Sequence, residues 1–62
     1  MAQLNVYENG QWVATGQLTE GRFDVEAGEI SAAAIAAISD AAEPGENGTI
    51  EIDGRELTWK AA

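Results

Sequence analysis

The stretch Ser31–Glu43, SAAAIAAISDAAE, decides the fold, because it combines a helical period with identifiable ends. Ser31 suits an N-cap, since its hydroxyl can accept a bond from a free backbone N–H one turn in. Ile30, just outside the cap, and Ile35, at the fourth helical position, have hydrophobic-staple spacing. At the far end Pro44 cannot continue the hydrogen-bond ladder and pushes Glu43 out of helical geometry. Ile30, Ala34, Ile35, Ile38, Ala41 and Ala42 fall on one face. Ala32, Ala36, Ser39, Asp40 and Glu43 fall on the other. A helix of about a dozen residues is marginal alone, so it needs a sheet to lie on. Its small alanines permit a close approach.

Outward from the helix the pattern is strand-like on both sides. Leu4 to Tyr7 and Gln11 to Thr15 alternate around Asn9-Gly10, whose residues tolerate the positive φ of a type I′ turn. With a two-residue loop, Tyr7 faces Trp12, Val6 faces Val13 and Leu4 faces Thr15. Leu4, Val6 and Val13 then share one sheet face, and Asn5, Tyr7, Trp12 and Ala14 the other. Leu18 has the wrong parity to join Val13 unless one residue is added, and Gly16 is the expected bulge. Glu20-Gly21 reads as a second turn, and Arg22 to Glu26 as a strand with Phe23 and Val25 inward. Beyond the helix, Gly45 to Gly48 is a loop by composition. Thr49 to Asp53 turns at Asp53-Gly54 into Arg55 to Lys60, with Ile50, Ile52, Leu57 and Trp59 inward. The two terminal alanines are expected to fray.

The order β-β-β-α-β-β with tight hairpins defines an α+β fold. It is an antiparallel sheet of about five strands, with one helix packed on one face. Residues 1–62 make a single domain. The expected core is Leu4, Val6, Val13, Leu18, Phe23, Val25, Ile30, Ile35, Ile38, Ile50, Ile52, Leu57 and Trp59. A central pairing of the first and last strands is one option for the strand order.

The chain has no cysteine and no histidine. Thiolate metal sites, disulfides and cysteine nucleophiles are excluded, and the commonest general base is missing. There is no basic-then-apolar leader and no apolar run near the roughly 20 residues that span a bilayer. A cytoplasmic protein is expected. Asn47-Gly48-Thr49 fits the glycosylation pattern, but such tripeptides are frequent by chance and no secretory signal accompanies it. No Asp-x-Asp-x-Asp-Gly loop and no phosphate-binding glycine loop is present, so neither metal nor cofactor is expected. Paired carboxylates can hydrolyse glycosides, but that needs a walled cleft, for which so short a chain has little material. The protein is not expected to be an enzyme.

Charge is the outlier: eleven Asp and Glu oppose three Lys and Arg, for a net of −8. Such a field repels nucleic acid and anionic membrane and attracts basic surfaces. Solubility alone, a basic partner, and adaptation to high salt are three readings of it. Glu51 and Glu56 fall opposite each other in the last hairpin, with Asp53 at its turn, a like-charge pairing that destabilises a sheet. Asp24, Glu26 and Glu29 precede the helix. Asp40, Glu43 and Glu46 follow its far end, where carboxylates oppose the macrodipole. Rules broken repeatedly at charges point to a partner-facing acidic surface made by Glu51, Asp53 and Glu56 first, then Asp24, Glu26, Asp40 and Glu43. The Tyr7–Trp12 pair, on the open side of the sheet, is the candidate aromatic contact, although such pairs also stabilise hairpins by themselves.

In size, acidity and helix-on-sheet build the chain resembles the small acidic inhibitors made by phages, among them DNA-mimicking anti-CRISPR proteins. The resemblance implies an inhibitor that occupies the basic, nucleic-acid-binding surface of a partner protein in the host cytoplasm, as a monomer or small homo-oligomer. It does not imply direct contact with nucleic acid or membrane. The alternatives are a structural or assembly protein (a virion component or oligomer subunit) and a salt-adapted small domain. The order is also similar to that of bacterial immunoglobulin-binding domains, from which the extra strand at Arg22 to Glu26 departs.

Overall fold

The computed structural model describes residues 2–62. The elements are β1 (Ala2–Glu8), β2 (Gln11–Thr19), β3 (Arg22–Gly28), α1 (Ala32–Ala41), β4 (Gly48–Ile52) and β5 (Arg55–Ala61). The five strands form one antiparallel sheet in the order β3-β2-β1-β5-β4, so the first and last strands do pair at its centre. All three hairpins turn in two residues, and Asn9, Glu20 and Asp53 take positive φ of 50°, 48° and 51° there. Three I′-like turns give the strands a common twist, which is what makes such tight connections compatible with a sheet.

Ser31 caps α1 as its sequence implies, its Oγ accepting a hydrogen bond from the Ala34 N–H at 3.2 Å. The helix ends earlier than Glu43: Ala42 already has an extended ψ of 146° and closes the last turn by donating to the Ile38 carbonyl. Ala34, Ile38 and Ala42 are buried, while Ala41 is exposed and Ile35 only half-buried. Ser39 does not belong to a solvent face. Its hydroxyl donates to the Ile35 carbonyl at 2.7 Å and accepts from the Phe23 amide at 2.9 Å. That bond ties α1 to β3 and satisfies one amide of an edge strand.

The parity problem in β2 is solved before Gly16, at Val13. Tyr7 opposes Trp12 but Val6 opposes Ala14, so Val13 is the additional residue. Ala14 is therefore fully buried, Val13 half-buried, and Leu4 faces Gly16. A second irregularity lies between β2 and β3, where Thr15 and Gly16 oppose Ala27 and Val25 and Glu26 is the extra residue. Gly16 serves another purpose. A Cβ there would run into the Asp24 carbonyl and the Phe23 ring, so its missing side chain leaves room for both. Gly48, in β4 and not in the loop, makes the same room for the Trp59 indole. The terminal alanines are held, with Ala61 in β5 and the Ala62 amide donating to the Gln3 carbonyl at 2.9 Å.

Leu4, Val6, Leu18, Phe23, Ile38 and Leu57 are the largest fully buried side chains. Each contributes about 1.5–3 kcal/mol relative to an exposed position. Val13, Val25, Ile30, Ile50 and Ile52 are only partly buried against them. Gly16→Ala is expected to lower stability by about 1–3 kcal/mol through overpacking, read as a lower urea midpoint. An unchanged midpoint would mean that β2 and β3 can separate locally without loss.

Candidate protein-binding surface

Glu51 and Glu56 lie directly opposite each other, as the two-residue turn requires. The β5 side of this pair is fixed by the first hairpin. The Asn9 amide donates to the Glu56 carbonyl at 2.9 Å, and the Glu56 amide donates to Asn9 Oδ1 at 3.3 Å. The two turns at this end of the sheet are thus joined, and the carboxylates stand on a rigid backbone.

The cations that could relieve the repulsion point elsewhere. Arg55 Nη1 lies 3.6 Å from Glu8 Oε1. Lys60 Nζ lies 5.2 Å from the centre of the Tyr7 ring, a cation–π distance. Arg22 takes Asp24 at 3.0 Å across two exposed side chains. Of the eleven acidic residues in the chain, Glu8 and Asp24 have these partners, and the other nine have no salt bridge among the described residues.

The acidic residues named from the sequence do not form one field. Glu51, Asp53 and Glu56 gather at the β4–β5 turn. Asp24 and Glu26 sit on β3 at the opposite edge, four strand spacings or about 19 Å away. Glu26 accepts a hydrogen bond from Gln17 Nε2 at 3.3 Å. Asp40 and Glu43 lie at the far end of α1, both exposed. Among the described residues no three acidic side chains converge closely enough to hold a metal ion. No helix among them is long and apolar enough to cross a membrane.

The structure adds two residues to the hairpin end, Glu8 and Glu29. They line a cleft of about 390 Å³ between the start of α1 and the β4–β5 turn, together with Asp53 and Arg55. Short as the chain is, it does wall a cleft. The signal for Glu8 was present in its parity. It follows Leu4 and Val6 at the same alternation, so it points to the helix side of the sheet.

Tyr7 and Trp12 oppose each other on the open face, and Trp12 is 49% exposed. The indole is held in place: its Nε1 donates to Thr15 Oγ1 at 2.9 Å, and that hydroxyl donates to Asn5 Oδ1 at 2.6 Å. An exposed aromatic with its polar atom already satisfied is a flat apolar contact at the edge of a threonine- and amide-bearing face. No protein-family model, curated protein or solved structure matches the chain.

Replacing one member of the like-charge pair should stabilise the hairpin. Glu51→Thr is expected to gain about 0.2–1 kcal/mol, seen as a higher urea midpoint with an unchanged slope. Equal or lower stability would mean that the sheet already relieves the repulsion.

Proposed function

We propose that the protein is a non-enzymatic binding module that presents carboxylates to a basic surface of a partner protein. In this reading it competes there with nucleic acid, as a DNA-mimicking inhibitor does. The observation that carries this reading is the Glu51–Glu56 pair with Asp53 beside it, unrelieved by any salt bridge among the described residues. Three negative groups on one rigid hairpin match the chemistry that Lys and Arg side chains use to grip phosphates. Tyr7 and Trp12 supply an apolar contact on the adjoining open face, the kind of anchor that interfaces favour. Asp24, Glu26, Asp40 and Glu43, which lie apart from that hairpin, add to the net negative charge and serve attraction over distance, not direct contact. Such a protein acts in the compartment of its target, the host cytoplasm for a phage-encoded inhibitor.

The test is capture from a cell lysate on immobilised protein, with duplex DNA as competitor. The expected partners are nucleic-acid-binding proteins that DNA releases. The triple variant Glu51→Lys, Asp53→Lys and Glu56→Lys, checked for a folded spectrum, should retain none of them. Capture unaffected by either DNA or charge reversal would refute the proposal.

A further inference from the structure

The cleft at the start of α1 carries chemistry that the outer-face carboxylates do not. Of the partly buried apolar side chains around the core, Val13, Ile30 and Ile52 all open into it. Its rim holds Glu8, Glu29 and Asp53 against a single guanidinium, Arg55. The positive pole of α1 opens on the same space, but a helix end amounts to only about half a charge. The rim therefore stays net negative.

An apolar floor under a negative rim suits a side chain with an aliphatic stem and a cationic head. The chain's own Arg55 illustrates the fit. Its guanidinium reaches Glu8 at 3.6 Å while the side chain stays 61% exposed, so the rim accepts this group without enclosing it. Glu29 and Asp53 have no salt bridge among the described residues. A planar guanidinium, with five donors in a fixed fork, can serve two carboxylates at once, which an ammonium does less well.

We infer that this cleft is a receptor for one arginine side chain of a basic partner protein, its stem on Ile30 and Ile52 and its guanidinium between Glu29 and Asp53. The inference rests on the proposed engagement of a basic partner and names the point where that partner is anchored.

The experiment is an amide-resolved NMR titration of the intact protein at physiological salt. The probe is an acetylated, amidated pentapeptide with one arginine between glycines, and the control is its citrulline counterpart, which keeps the shape and loses the charge. Saturable shifts at Val13, Ile30, Ala34 and Ile52 are expected with arginine and not with citrulline. Asp53→Asn keeps a residue that favours positive φ in the turn, and should weaken binding by about two- to fivefold, the effect of one exposed charge pair. Ile52→Trp, which fills the cleft without changing charge, should abolish the saturable response while the spectrum stays dispersed. Glu51→Gln with Glu56→Gln should leave it unchanged. Shifts spread over all the carboxylate-bearing residues, or equal binding of citrulline, would overturn the cleft assignment. Lysate capture lost on Glu51→Lys with Glu56→Lys, which leaves Asp53 and the rest of the cleft lining intact, would still stand in that case, so the two ideas fail separately.

Discussion

A single ten-residue helix has to serve a five-stranded sheet. At about 1.5 Å per residue α1 is about 15 Å long, and with side chains about 10–12 Å wide. The outer strands stand about 19 Å apart. The helix therefore cannot cover the whole inner face. It settles nearest β3, where the Ser39–Phe23 bond fixes it. The other half of the face, over β4 and the start of β5, is left with Ile50 and Ile52 half-buried and a cleft beside α1. Both the weakest part of the core and the most distinctive concavity follow from that mismatch. The same end of the sheet collects Glu8, Glu29, Glu51, Asp53 and Glu56.

Much of this was legible in the sequence. Asn9-Gly10 and Asp53-Gly54 place residues tolerant of positive φ between alternating segments, so those two hairpins follow from local chemistry; at the remaining turn only Gly21 is such a residue, and Glu20 takes its positive φ against its own preference. Ser31 starts the helix for an equally local reason, but the helix ends at Ala41, ahead of the point where Pro44 forces a break. What was not legible depended on contacts made at a distance. Val13 and Ala14 are both apolar, so either could face the core, and the choice follows from the register in which β2 pairs with β1, with Val13 inserted and Ala14 opposite Val6. Gly16 looked like the inserted residue of a bulge; it does border an irregularity, but the extra residues are Val13 and Glu26, and what requires glycine is the close approach of the Asp24 carbonyl and the Phe23 ring. Ser39 looked polar and outward. Its bond to the Phe23 amide exists only because β3 is an edge strand lying under the helix. The separation of Asp24 and Glu26 from Glu51 and Glu56 depends on strand order, on which the sequence left the alternatives open.

The acidic side chains follow a different logic from the core. A carboxylate pair across a strand, acids beyond a helix C-terminus, and few salt bridges are each small costs. A domain of this size has stability of only about 3–9 kcal/mol to set against them. Two of the three cations pair with carboxylates, Arg22 with Asp24 and Arg55 with Glu8, and Lys60 lies over Tyr7, so none bridges Glu51, Asp53 or Glu56. Solubility needs net charge but no particular arrangement of it. A binding surface needs the arrangement, and the two hydrogen bonds between Asn9 and Glu56, one from backbone to backbone and one to the Asn9 side chain, hold one in place.

The most direct measurement of this account is the dissociation constant for the captured partner as salt is raised. Attraction between opposed charged surfaces is screened, and the loss falls chiefly on the association rate. The account predicts steady weakening with salt, carried by slower association. An affinity that stays constant or tightens as salt increases would contradict it, since contact would then rest on apolar surface such as Trp12 and not on the carboxylates.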